Sequence, residues 1–247
     1  MGRAHEVRAA SMAATAKTKS ALYMKASKEI YMAAKTGDSD PKNNLALRAV
    51  LEKYKGQSIP RDVIKRAIEK SQGTDSAVYF ENRYEGFGPG GTMFIVDTLA
   101  DNEKRAFALV RAIFNHKGGK IGNSGTVAYN FKKCGEIEFD GDNVDEITEM
   151  LILGDVDVKD VSAEDNIVTV LTSTDDFHKA EDVLKENGIE DFLTDEVTLI
   201  PDLKVDVTGD DVRKYRNFYD ALDEIEDVQT IYTNANIIED EEKEEEK

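Results

Sequence analysis

Tyr84-Glu85-Gly86-Phe87-Gly88-Pro89-Gly90-Gly91 runs, through Thr92, into the apolar segment Met93-Phe94-Ile95-Val96. The first stretch is too rich in glycine for helix or regular strand and reads as a turn; the second reads as a buried strand. Asp101-Asn102 then offers a helix cap. Ala106, Leu109, Val110 and Ile113 recur at helical spacing until Gly118-Gly119 stops them. A second glycine loop, Lys120-Ile121-Gly122-Asn123-Ser124-Gly125, leads into Val127-Ala128-Tyr129-Asn130-Phe131, read as another strand. The pattern predicts a β–α–β unit with a glycine loop ahead of each strand.

Upstream the sequence is helical. From about Thr15 to Lys35 one long helix places Leu22, Ala26, Ile30 and Ala33 on one side. Lys17, Lys28 and Lys35 fall nearly opposite, with Lys25 beside them. Gly37 ends that helix, and Asp40 with Pro41 is positioned to start the next, striped by Leu47, Val50, Leu51 and Tyr54. After Gly56, Val63, Ile64, Ala67 and Ile68 mark a third. Three helices with short connections form a small bundle.

Downstream, Cys134-Gly135 reads as a break in pattern. Beyond it come a strand Glu136–Phe139, a helix holding Ile147, Met150, Leu151 and Leu153, strands Val158–Val161 and Ile167–Leu171, a helix Asp175–Asn187, and a strand Val197–Ile200. That β–α–β–β–α–β order is the ferredoxin-like one. A strand Lys204–Val207, a helix Asp210–Asp223 and a strand Val228–Tyr232 remain. Added to the central β–α–β, they complete the same order a second time. The expected fold is therefore α+β and multi-domain: an N-terminal three-helix bundle followed by two ferredoxin-like α/β sandwiches, one inserted into the other. The expected boundaries are a basic helical domain 1–76, a split α/β domain 77–134 plus 202–238, an inserted domain 135–201, and an acidic disordered tail 239–247.

Composition narrows the function. Of 247 residues, 33% are charged, and no apolar run approaches the roughly 20 residues of a membrane span. A secretory signal is not expected, and the single cysteine, Cys134, fits a reducing cytoplasm. The net charge of −18 is unevenly spread. Residues 1–74 carry 15 Lys/Arg against 7 Asp/Glu, net +8, and the remainder carries 17 against 43, net −26. A polyanion responds to the local field, so the basic third is the candidate binding surface. Its residues are Lys17, Lys25, Lys28, Lys35, Arg48, Lys53, Lys55, Arg61, Lys65, Arg66 and Lys70. Binding of this kind is dominated by phosphate contacts, with weak sequence preference and steep salt dependence.

Catalytic and cofactor signatures are weak. Gly86, Gly88 and Gly91 satisfy G-x-G-x-x-G, but the loop runs into a strand and not onto a helix N-terminus, so no dinucleotide is expected. Gly90 belongs to the same turn. The loop with Gly119, Lys120 and Gly122 lacks a P-loop ending, though its amides and Lys120 are candidates to meet phosphate or RNA. His5, His116 and His178 are far apart and form no metal motif. Neither a catalytic residue, a metal nor a cofactor is expected.

The glycine signatures, together with Asp40-Pro41, Asn44, Leu45, Arg48 and the run Ile59-Pro60 to Ala67-Ile68, resemble the YebC/PmpR family, and the resemblance extends over nearly the whole chain. It is nearest the branch that includes YeeN. Much of that family begins with Gly-His-Ser-Lys-Trp, whereas this chain reads Gly2-Arg3-Ala4-His5-Glu6. Members are labelled transcriptional regulators, and mitochondrial relatives are translational activators for a cytochrome c oxidase subunit. The resemblance implies a DNA-binding regulator of transcription; beside it, the residues themselves lead to the expectation of a cytoplasmic, non-enzymatic protein, of unknown oligomeric state with a monomer favoured. The alternative that the resemblance implies is a ribosome-associated translation factor, bound to ribosomal RNA and assisting peptide bonds at proline runs.

Overall fold

The structure, a computed structural model, describes residues 3–73 and 78–238; the side chains of residues 3–18 and 56 are outside that description. The readings of the Lys17 side chain, of the linker at 74–76 and of the tail at 239–247 fall on residues not described. The chain divides into two compact units, Met1–Ala128 with Lys204–Lys247, and Tyr129–Leu203.

The first unit opens with helices α1 (Arg3–Thr36), α2 (Leu45–Lys53) and α3 (Arg61–Ser71). Ala26, Ile30, Tyr31, Leu47, Tyr54 and Ala67 close their core, as the apolar stripes predict. The start of α2 differs from expectation. Asp40–Asn43 forms a turn, and the cap is Asn44, whose Oδ1 accepts from Leu47 N–H at 3.0 Å. Its amide also donates to the carbonyls of Ala33 and Asp38, at 2.8 and 2.7 Å. One buried side chain thus ends α1 and begins α2, which spacing alone does not reveal. Asn44→Ala is expected to cost about 2 kcal/mol in urea denaturation, the upper range for a lost cap, because two carbonyls lose their donor as well.

The rest of this unit is a four-stranded sheet in the order β3-β1-β2-β9, from β1 (Phe80–Phe87), β2 (Met93–Ala100), β3 (Lys120–Ile121) and β9 (Val228–Thr233). Helices α4 (Glu103–His116) and α7 (Asp210–Asp223) cover one face, where Phe94, Val96, Val110, Phe114, Phe218 and Leu222 form the core. Two strand assignments change here. Tyr84–Phe87, read as turn, is the end of β1 and pairs antiparallel with Met93–Val96. Gly86 stands within that strand because a Cβ would lie 2.5 Å from the Phe114 ring and 2.6 Å from the Lys120 carbonyl. Only Gly88 to Gly91 makes the turn, with Gly90 and Gly91 at positive φ. In addition, β1 occupies the sheet position that a second β–α–β–β–α–β order would give to β8 (Val205–Val207). Strand β8 pairs instead, in parallel, with β10 (Ala235–Ile237).

The second unit is ferredoxin-like. Its chain order is β4 (Phe131–Asp140), α5 (Val144–Leu153), β5 (Val158–Glu164), β6 (Ile167–Thr172), α6 (Phe177–Glu186) and β7 (Thr194–Pro201). The sheet order is β5-β6-β4-β7, antiparallel throughout. Ile137, Phe139, Leu151, Val168, Val170 and Leu184 pack between sheet and helices. Val127–Phe131 is not a strand: Ala128–Asn130 is a 3-10 turn leading into β4, which then runs unbroken through Cys134-Gly135.

Candidate nucleic-acid interface

The described basic residues of the helical head fall into two groups. Lys25 and Lys28 are turned inward and do not offer a free cationic face, contrary to the helical-wheel reading. Lys25 Nζ lies 2.5 Å from the Asp223 carboxylate. Lys28, 8% exposed, donates to Asp227 at 3.0 Å and to the Glu226 carbonyl at 3.1 Å. Asp227, 2% exposed, also receives Arg105 Nη2 at 2.8 Å and Nε at 3.2 Å. A carboxylate that deep requires this compensation. The two lysines thus clamp α1 to the acidic turn between α7 and β9. Lys53 pairs with Glu29 at 3.3 Å, and Arg48 spends its guanidinium on the carbonyls of Pro41 and Lys42.

The other group is solvent-exposed. Arg61, Lys65, Arg66 and Lys70 stand exposed on α3, and Lys35 is exposed in the last turn of α1. Lys65 reaches Glu69 at 3.7 Å and Lys55 reaches Glu52 at 2.7 Å, both as solvent-screened surface pairs. The fold brings Lys35 and Lys70 together over one ring: their Nζ atoms lie 5.5 and 6.0 Å from the Tyr31 centroid. Two ammonium groups converging on one tyrosine, beside Arg66, make a cationic ledge.

The glycine loops have a structural role. A Cβ on Gly88 would strike Phe94 at 2.4 Å, on Gly119 the Phe218 ring at 2.6 Å, and on Gly122 Thr126 at 2.7 Å. Of the loop amides read as possible phosphate ligands, that of Gly125 already has an anion, which it shares with the following Val127 and Ala128. Glu85, 4% exposed, accepts from Gly125 N–H at 2.7 Å, Val127 N–H at 2.8 Å and Ala128 N–H at 2.9 Å. Burial pushes its carboxyl up, but the three amides and the nearby Arg83 charge outweigh that and hold it below the ordinary range. Lys120 remains exposed in β3. A lone glutamate beside glycines carries no distinguishing spacing, so the sequence does not single out Glu85 as the anchor of this loop.

Charge in the inserted unit points elsewhere. Residues 129–203 carry 5 Lys/Arg against 22 Asp/Glu, net −17 of the chain's −18. The sheet face turned away from its helices carries half-buried Glu136, Glu138 and Glu196 where RNA-binding sheets of similar topology present stacking aromatics. Among the described residues, no helix is long and apolar enough to cross a membrane.

Comparison with known proteins agrees with this architecture. A family model described as the TACO1/YebC protein N-terminal domain matches residues 3–74, and one described as the TACO1/YebC second and third domain matches residues 79–235. The chain is 47% identical over 239 residues to the probable transcriptional regulatory protein Mfl546 of Mesoplasma florum, covering 96% of this chain and 100% of that one. It is also similar to the crystal structure of the conserved hypothetical protein Aq1575 from Aquifex aeolicus, with a TM-score of 0.76 and 29% identity over 90% of this chain and 92% of that one.

Proposed function

The chain belongs to the TACO1/YebC family, and from that premise we propose that it is a non-enzymatic, nucleic-acid-binding regulator of gene expression acting on DNA. The observation that carries the reading is the ledge where Lys35 and Lys70 meet over Tyr31, continued by Arg61, Lys65 and Arg66 along α3. Point charges on an exposed helix hold phosphate oxygens and carry little base-specific information. The inserted unit, at −17, repels any polyanion that approaches it, which confines binding to the head.

The name of the Mesoplasma relative supports a transcriptional role, and the ribosomal alternative has no observation of its own in its favour. Two parallel assays separate them. Protection of promoter DNA by the full chain, with no co-sedimentation with ribosomes, is the expected result. Ribosome association without promoter protection overturns the DNA reading while leaving the phosphate-binding head in place.

A further inference from the structure

Helices α5 and α6 of the inserted unit lie close together because Gly154 permits it: a Cβ there would sit 2.6 Å from the Val183 side chain. Between them runs a groove of about 380 Å³. It is shallow, lined by apolar Met150, Leu153 and Val183 and by the carboxylates of Glu146, Glu149 and Glu186. Leu153 is 79% exposed, and its neighbour Ile152 is exposed as well. Glu146 is engaged by Asn143 at 2.7 Å as part of the α5 cap. Neither Glu149 nor Glu186 has an ion-pair partner among the described residues.

We propose that this groove docks a cationic amphipathic segment of a partner protein, with lysines or arginines flanking an apolar anchor. The charge pattern selects the occupant. Three carboxylates beside an apolar lining complement basic side chains on either side of a leucine-like residue, and they reject an acidic segment or a nucleic acid. A helix laid along α5 and α6 places its apolar side chain against Leu153 and Val183 and its basic ends near Glu149 and Glu186. The net charge of −17 on the unit steers such a segment toward it and makes capture salt-dependent. The site is independent of the basic head: it recruits protein, whereas the head holds phosphate.

The test uses the full-length protein and a fluorescein-labelled 15-residue peptide of leucine and lysine at helical spacing, followed by anisotropy. Saturable one-to-one binding is expected. Leu153→Asp, and separately Glu149→Lys with Glu186→Lys, should each weaken it at least tenfold. Both variants alter exposed side chains, and matching circular dichroism verifies that they fold. Oligolysine of equal length should bind at least tenfold more weakly. The proposal is overturned if the leucine–lysine peptide fails to bind or if both variants bind it like the unmodified protein. Equal binding of oligolysine, which would reveal only a general acidic surface, overturns it too.

Discussion

Glu85→Ala is expected to destabilise the protein by about 4 kcal/mol, because three charge-assisted hydrogen bonds of roughly 1.5–3 kcal/mol each are lost from a buried carboxylate and partly replaced by water. The bonds in question are those from Gly125, Val127 and Ala128. Glu85→Gln keeps an acceptor oxygen but sets an NH2 against the remaining amides, so about half that loss should follow. Urea denaturation reads both values. Hydrogen exchange should show the three amides protected in the native protein and freely exchanging in Glu85→Ala. The carboxyl also makes stability depend on pH. Its folded-state value is depressed, so its contribution is fully present above the ordinary glutamate range and is lost as pH falls through the lower folded value. The acid-side loss of stability should be visibly reduced in Glu85→Gln, which has no proton to take up there.

Asp227→Ala should have a comparable effect, about 3–5 kcal/mol, by leaving the cations of Lys28 and Arg105 without their shared buried partner. Its consequence is regional. With Asp227 gone, α1 is held to the α7–β9 turn through Lys25 and Asp223, the Lys28 bond to the Glu226 carbonyl and the surrounding apolar contacts. Hydrogen exchange across residues 24–34 should accelerate in this variant while the inserted unit keeps its protection. Lys28→Met should cost less, since Arg105 still compensates the carboxylate. Unchanged α1 protection in Asp227→Ala would show that packing alone fixes the head.

Much of the architecture was readable from residue order. The apolar stripes of α1 to α3, the bounds of α7 and the β–α–β–β–α–β order of the inserted unit follow from local periodicity, which packing here reinforces. What escaped was non-local. Glycine content hid β1, because Gly86 is dictated by the Phe114 ring from a helix about thirty residues later. Asn44 looked unremarkable beside Asp40-Pro41, since its bonds to Ala33 and Asp38 reach across a turn. For the interface, the helical wheel had no means of knowing that Asp223 and Asp227, some 200 residues away, would claim Lys25 and Lys28. The exposed cations are instead concentrated on α3, and the acidity is concentrated in the inserted unit.

The most direct test of the central claim, that the exposed cations of the head hold phosphate, is the salt dependence of binding to a duplex DNA of arbitrary sequence. Each phosphate contact contributes about 0.9 to the slope of log K against log salt. Replacing Lys35, Arg61, Lys65, Arg66 and Lys70 by glutamine should flatten that slope by about 4.5 and leave the thermal melt unchanged, whereas Lys132→Gln with Lys133→Gln should leave the slope as it was. An unaltered slope in the five-residue variant would contradict the account.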